Sequence, residues 1–236
     1  MTKLVLFDCD GVLINTEAVG YHIMNKMLAT HKITLTRSEF IEILADTSYN
    51  EFHKNLQKKH PHLPEDFQKD LSVHIKDALE TEIKAIEGIK ELLQNLKNNN
   101  IPFSVCSNSR AENLLLKLRK TGLYDYFTPH IYSRNHIENK KPAPDIYLHA
   151  AKNRGIHPGD CLVVEDSFIG VQAGVAAGMT VIAFAGEAHR NPEEADLLLR
   201  KGAKMIALDT EQIWDHISNF VGFPPTTPAP GNNFNH

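Results

Sequence analysis

The sequence has little of what marks a secreted, membrane-bound or nucleic-acid-binding protein. Its 236 residues include three cysteines with no CxxC spacing, too few for a disulfide framework. No apolar run approaches the ~20 residues of a membrane-spanning helix, and the N-terminal run Leu4–Phe7 is too short for a secretory signal. The 25 basic residues are outnumbered by 29 acidic ones, which excludes the basic footprint of a nucleic-acid binder. These absences predict a reduced, cytoplasmic protein with neither membrane nor nucleic-acid partners.

Short apolar runs alternate with helical patterns along most of the chain. Between the runs, apolar residues recur at helical spacing, as they do from Ile89 to Leu96. The runs themselves are continuously apolar, which is typical of strands buried on both faces of a parallel sheet. There are five of them: Leu4–Phe7, Phe103–Cys106, His130–Tyr132, Cys161–Val164 and Val181–Ala185. The alternation predicts an α/β fold with a Rossmann-like parallel sheet.

One segment interrupts this alternation. Residues 15–84 contain helical patterns and no convincing strand, with periodic stretches at Val19–Leu28, Glu39–Leu44, Phe52–Lys59 and Glu65–Ile83. We therefore expect an α-helical cap domain at 15–84, inserted after the first strand of a core domain formed by 1–14 and 85–222. The remaining residues, 223–236, have the composition of a disordered tail.

Polar and charged residues follow the predicted strands at their carboxyl ends, which is where open parallel sheets bind ligands. In chain order they are Asp8, Asp10, Ser107, Asn108, Lys141, Glu165 and Asp166. Residues at i and i+2 point to the same side of an extended strand, so Asp8 and Asp10 can both face the crevice while Cys9 turns away. An isolated Asp-x-Asp is commonly a solvated turn, but four strand ends with complementary groups favour a functional site.

The chemistry of these groups indicates a cation and an anionic ligand. Neighbouring carboxylates repel one another, and a divalent cation such as Mg²⁺, which prefers oxygen ligands, relieves the repulsion. Gly11 would let the chain turn sharply out of the first strand. Lys141 would offset the charge of a substrate anion, and the Ser107 hydroxyl would bind its oxygens.

Four ordered segments resemble the motifs of haloacid dehalogenase superfamily phosphatases. They are Asp8-Cys9-Asp10-Gly11-Val12-Leu13, Val105-Cys106-Ser107-Asn108, Lys141-Pro142-Ala143-Pro144-Asp145 and Val163-Val164-Glu165-Asp166-Ser167. Their order and rough spacing match the family, and the resemblance extends to about residue 220. The helical insertion resembles the cap of the β-phosphoglucomutase-like branch, which includes many phosphosugar phosphatases.

The resemblance implies a role for each of these residues. Asp8 would be the nucleophile that forms an aspartyl-phosphate, and Asp10 would be the general acid and base. The phosphoryl group would be bound by Ser107, Asn108 and Lys141. The resemblance implies that Mg²⁺ is held by Asp8, the backbone carbonyl of Asp10 and Asp166. Glu165 would be either a further ligand or a residue that supports the ligands.

The sequence favours hydrolysis over phosphomutase chemistry. Gly20 stands where the β-phosphoglucomutase pattern has a His, and the matching cap loop at 45–49 carries no cation and an extra acid, Asp46. Residues 85–88 and 186–189 resemble phosphatases of compounds such as 6-phosphogluconate. We therefore expect a monomeric, Mg²⁺-dependent phosphatase of a small phosphorylated metabolite. The alternatives are a phosphomutase and, less favoured, a metabolite-binding regulator.

Overall fold

The strands in the described part of the chain form a single parallel sheet. The structure, a computed structural model, describes residues 2–36, 39, 49–186 and 192–223. The sheet has six strands in the order β3-β2-β1-β4-β5-β6, and every pairing is parallel. The strands are β1 Leu4–Phe7, β2 Phe103–Ser107, β3 Ile131–Ser133, β4 Cys161–Glu165, β5 Thr180–Phe184 and β6 Met205–Ala207. The predicted α/β fold with a Rossmann-like sheet is confirmed.

The sixth strand was not predicted from the sequence. The five predicted runs all correspond to strands whose ends agree within one residue. The strand Met205–Ala207 has only three residues and pairs on one side only, with β5. A run of that length is too short to be told from an apolar turn by periodicity.

Helices connect the strands and cover the sheet. Their bounds are α1 Thr16–Thr30, α2 Tyr49–Lys59, α3 Phe67–Thr81, α4 Ile89–Asn98, α5 Ala111–Lys120, α6 Tyr124–Phe127, α7 Asp145–Arg154, α8 Phe168–Ala176, α9 Pro192–Arg200 and α10 Thr210–Val221. The first three lie between β1 and β2 and match three of the predicted helical stretches. The fourth stretch, Glu39–Leu44, lies outside the described residues except for Glu39. None of the helices in the described ranges is long and apolar enough to cross a bilayer.

Both faces of the sheet are buried, and β1 contributes to each in turn. Val5 and Phe7 join one apolar cluster, which includes residues of α4, α5 and α10, whereas Leu4 and Leu6 join another with α7 and α8. Burial on both faces explains why the strand is continuously apolar rather than alternating. A third apolar cluster holds α1, α2 and α3 together.

The chain leaves the sheet region and returns to it along one short paired segment. Ile14 and Ala85 form an antiparallel bridge, and the Ile86 amide donates to the Leu13 carbonyl at 3.0 Å. Asn15 reaches across as well, because its side-chain oxygen accepts from the Lys84 amide at 2.8 Å. The helices α1 to α3 are therefore joined to the sheet close to the carboxyl end of β1.

Candidate active site

The strand order places the predicted polar residues around one crevice. The sheet runs from β1 to β2 and β3 on one side and to β4, β5 and β6 on the other, so the order reverses between β1 and β4. Ligands bind beyond the carboxyl ends of the strands at such a reversal. Asp8 follows β1, Ser107 ends β2, Glu165 ends β4, and Asp166 follows it.

Lys141 is the buried cation of this crevice. Its side chain is 2% exposed, and its ammonium donates to Asp8 Oδ1 at 2.6 Å, to Glu165 Oε1 at 2.6 Å and to the Cys106 carbonyl at 2.9 Å. The ammonium also lies 4.7 Å from the centre of the Tyr147 ring. An ammonium has three N–H donors, so these contacts satisfy all of them and compensate for its burial.

The crevice holds more negative charge than Lys141 can balance. Burial raises the pKa of Asp8 well above its usual value; Lys141 opposes this, while Glu165 and Asp166 raise the pKa further. Burial lowers the pKa of Lys141, but Asp8 and Glu165 more than offset this and hold it above its usual value. Carboxylate oxygens of Asp8, Glu165 and Asp166 lie within 4.8 Å of one another. Hard oxygen donors in excess of the local positive charge fit a divalent cation.

Both carboxylate oxygens of Glu165 accept hydrogen bonds from the protein. Its Oε1 accepts from Lys141 and, at 2.7 Å, from the Tyr147 hydroxyl. Its Oε2 accepts from the Asp166 amide at 3.2 Å and from the amide and hydroxyl of Ser167 at 3.3 and 3.0 Å. With both oxygens hydrogen-bonded and no exposed surface, Glu165 is suited to hold Lys141 rather than to bind a metal directly.

Gly170 makes room for the Glu165 carboxylate. A Cβ at this position of α8 would lie 1.8 Å from Glu165 Oε1. We therefore expect Gly170→Ala to lower the free energy of unfolding by about 1–3 kcal/mol or more, because Glu165 must leave its hydrogen bonds. Urea denaturation measures the change.

The matched control is another glycine inside a helix, Gly20 of α1. A Cβ there meets no atom within 4 Å. Gly20→Ala should raise the free energy of unfolding by about 0.5–1 kcal/mol, which is the usual gain when Ala replaces Gly in a helix. Equal effects of the two substitutions would contradict the proposed crowding at Glu165.

Gly11 and Cys9 complete the turn that follows β1. Gly11 has φ +83°, and a Cβ on it would lie 1.7 Å from Asp166 Oδ2, so only glycine allows this approach. Cys9 is buried in the apolar cluster on the Val5 and Phe7 face, turned away from the crevice as predicted. Burial raises the pKa of its thiol well above the usual value, which disfavours the thiolate form.

Four side chains among the described residues donate to Asp10. Its Oδ1 accepts from Thr16 at 2.9 Å, and its Oδ2 accepts from Ser107 at 3.4 Å and Ser109 at 3.2 Å. The Lys117 ammonium donates to both oxygens, at 2.6 Å to Oδ2. Burial raises the pKa of Asp10, but the charge and hydrogen bonds of Lys117, with those of Thr16 and Ser109, more than offset this and lower it overall.

The side chain of Asn108 forms hydrogen bonds with the backbone of Lys141. Its Oδ1 accepts from the Lys141 amide at 3.0 Å, and its Nδ2 donates to the Lys141 carbonyl at 3.3 Å. Asn108 thus links the end of β2 to the loop that contains Lys141. The Ser107 hydroxyl lies beside it, accepting from the Ser109 amide at 3.1 Å.

Sequence reasoning missed Lys117 and Tyr147. Lys117 follows the buried Leu114 by three residues and directly precedes the buried Leu118. A lysine within this helically spaced set of leucines was a signal that the sequence offered. Tyr147 is buried among the apolar residues of α7, where no pattern separates a hydrogen-bonding tyrosine from a packed one.

These features define a class of protein. A parallel sheet that gathers carboxylates and one buried lysine at the reversal of its strand order is an α/β enzyme fold with its site at the carboxyl edge. The family described as "Haloacid dehalogenase-like hydrolase" matches residues 5–184. The chain belongs to this family.

Curated relatives include phosphatases and a mutase. The chain is 28% identical over 195 residues to 6-phosphogluconate phosphatase of Escherichia coli, covering 80% of this chain and 86% of that protein. It is 33% identical to the bifunctional riboflavin kinase/FMN phosphatase of Arabidopsis thaliana over 78% of this chain, which spans only 48% of that longer protein. It is 28% identical to β-phosphoglucomutase of Bacillus subtilis over 90% of this chain and 96% of that protein.

A solved structure has the same architecture. A haloacid dehalogenase family hydrolase from Deinococcus radiodurans, crystallised with bound phosphate and sodium, superimposes with a TM-score of 0.84 at 32% identity. The similarity covers 95% of this chain and 99% of that one. The expectation of a haloacid dehalogenase-like enzyme is confirmed, and the named phosphatases among its relatives support the phosphatase activity predicted for it.

Proposed function

We propose that this enzyme is a Mg²⁺-dependent phosphatase that hydrolyses a small phosphorylated metabolite, a sugar phosphate or a phosphosugar acid such as 6-phosphogluconate. The observation that carries the proposal is the buried Asp8 carboxylate, paired at 2.6 Å with Lys141 at the carboxyl end of β1. A carboxylate in that position is a nucleophile held beside a cation that can also bind the phosphoryl group.

The reaction proceeds in two displacements. In the first, an oxygen of Asp8 bonds to phosphorus, the ester P–O bond breaks, and the leaving oxygen takes a proton from Asp10. In the second, water attacks the aspartyl-phosphate and gives its proton to Asp10, and phosphate leaves as the bond to Asp8 breaks. Lys141 and the Ser107 hydroxyl stabilise the charge on the phosphoryl oxygens, and Asn108 keeps Lys141 in place.

The acidic residues fit a magnesium ion. Asp8 and Asp166 would supply carboxylate oxygens and Asp10 its backbone carbonyl, while Glu165 holds Lys141. Bound there, the ion would polarise the phosphoryl group and would offset repulsion between the substrate and the Asp8 carboxylate. The excess of buried carboxylates over cations in the crevice supports this assignment.

Hydrolysis is favoured over mutase chemistry by the absence of a side chain at Gly20. Gly20 lies one helical turn beyond Thr16, whose hydroxyl donates to Asp10, so both residues share the face of α1 nearest the site. A mutase must bind the distal phosphate of a phosphosugar, and Gly20 has no side chain that could contribute to such binding. Residues 45–48 of the cap loop and residues 187–189 of the later segment, both used in the prediction, lie outside the described residues.

The organisation of the chain suits this function. We propose that residues 15–84 are a cap over the core of 1–14 and 85–222, because the chain crosses between the two along the short paired segment at Ile14 and Ala85. Three buried, unpaired cysteines favour a reducing compartment, and we place the enzyme in the cytoplasm as a monomer. The tail expected at 223–236 lies outside the described residues except for Phe223.

Phosphate release from a substrate panel tests the proposal. The panel contains phosphosugars, phosphosugar acids, nucleotides and polyol phosphates, each assayed with Mg²⁺ and with EDTA. We expect release with Mg²⁺, highest for sugar phosphates or phosphosugar acids, and a loss of ~10³-fold or more in EDTA that returns when Mg²⁺ is restored. EDTA-resistant release would contradict the metal assignment. Turnover only with a bisphosphate primer and without phosphate release would favour the mutase.

A further inference from the structure

Lys117 is a partly buried cation that the mechanism above leaves without a role. It lies in α5, its side chain is 12% exposed, and its ammonium contacts both carboxylate oxygens of Asp10. The ammonium also donates to the Ser109 hydroxyl at 3.0 Å, and that hydroxyl donates to Asp10 Oδ2. Lys117 therefore reaches Asp10 directly and through one intermediate donor.

The other contacts of Asp10 restrain it less than Lys117 does. Thr16, Ser107 and Ser109 each donate one neutral hydrogen bond, at 2.9 to 3.4 Å. Thr16 donates to Oδ1, whereas Ser107 and Ser109 both donate to Oδ2, so no single neutral donor contacts both oxygens. A cation that contacts both oxygens restrains the rotation of the carboxylate and forms stronger, charge-assisted hydrogen bonds.

The fold around Lys117 does not need a positive charge for packing. Leu114 and Leu118, its neighbours on the same side of α5, are fully buried and apolar. An unbranched apolar side chain at 117 would suit this surface better than a lysine. The positive charge of Lys117 instead interacts with the Asp10 carboxylate.

We propose that Lys117 is a positioning residue that holds the Asp10 carboxylate in the orientation from which it exchanges a proton with the leaving oxygen. The inference rests on the proposed function, because that function gives Asp10 the proton-transfer role. Misplacing a proton donor slows only those displacements whose leaving group needs a proton. This dependence on the leaving group separates positioning from general damage to the site.

Two phosphate monoesters of similar size, neither with a charged group besides the phosphate, provide the test. p-Nitrophenyl phosphate releases a weakly basic phenolate that needs no proton, whereas benzyl phosphate releases an alkoxide that needs one. The parameter kcat/KM reports the steps up to departure of the leaving group. In Lys117→Met we expect kcat/KM for benzyl phosphate to fall ~10–100-fold while that for p-nitrophenyl phosphate changes less than ~3-fold. Lys117→Arg, which keeps the charge, should recover part of the loss.

A double-mutant cycle shows whether Lys117 acts through Asp10. In an Asp10→Asn background, Lys117→Met should cause no further loss with benzyl phosphate. Lys97→Met, which removes an exposed lysine of α4, is the matched control and should leave both esters unchanged. Thermal unfolding verifies that each variant is folded, and Lys117→Arg carries the test if Lys117→Met does not fold.

Three results would overturn the proposal. Equal losses with both esters would mean that Lys117 serves the phosphoryl group or the fold. A rise in KM confined to 6-phosphogluconate would mean that Lys117 binds a second anionic group of the substrate. Additive losses in the Asp10→Asn background would mean that it acts independently of Asp10. Wild-type enzyme inactive on both esters and on the substrate panel would instead refute the proposed phosphatase.

Discussion

Asp8→Asn should reduce phosphate release by ~10⁴-fold or more, because the amide cannot attack phosphorus. The substitution preserves shape, and the side-chain oxygen can still accept from Lys141. It also removes a buried negative charge from a crevice that holds three other carboxylates, Glu165, Asp166 and Asp10. Steady-state phosphate release with saturating Mg²⁺ measures the effect.

Thermal unfolding controls for damage to the fold in the Asp8→Asn variant. Its melting temperature in EDTA should equal or exceed that of the wild type, because burial disfavours the Asp8 anion. Mg²⁺ should raise the melting temperature of the wild type more than that of the variant, since one ligand is lost. Phosphate release within tenfold of wild type would exclude Asp8 as the nucleophile.

Lys141→Met should cost both stability and activity. It leaves Glu165, which has no exposed surface, and the nearly buried Asp8 without their shared cation. Breaking a buried ion pair by removing one partner costs about 3–5 kcal/mol of unfolding free energy. Loss of a donor to the phosphoryl oxygens should lower kcat a further ~10²–10³-fold, measured where the variant is fully folded.

A second substitution separates these two effects. Adding Glu165→Gln to Lys141→Met removes the stranded charge, so urea denaturation should show that much of the stability returns. Activity should stay low, because the phosphoryl group still lacks its cation. Recovery of activity along with stability would mean that Lys141 matters for the fold alone.

Much of the sheet was predictable because a strand buried on both faces is apolar at every position, a pattern that can be recognised in the sequence. The strand from Leu4 to Phe7 is apolar at every position since Val5 and Phe7 enter one cluster and Leu4 and Leu6 the other. The three-residue strand at Met205 was missed because it is too short to form a recognisable apolar run. The helices of the insertion were predicted from their apolar periodicity.

Most residues of the candidate site were predictable from the sequence, but the hydrogen bonds and ion pairs that join them were not. Parallel strands end at one edge, so polar residues after Phe7, Cys106 and Val164 had to lie near one another. That reasoning does not reveal that Asn108 is tied to the Lys141 backbone or that Lys117 contacts Asp10. The catalytic and metal-binding roles of these residues remain predictions for the experiments above.

The sequence by itself determined the class of fold and the edge of the sheet at which the candidate site lies, because both follow from residues adjacent in the chain. Only the tertiary structure decided which groups meet. Lys141 pairs with Asp8 across 133 positions because β1 lies between β2 and β4, and its ammonium reaches Glu165 in the same pocket. That arrangement depends on strand order and on the packing of α5 and α7, which no local pattern encodes.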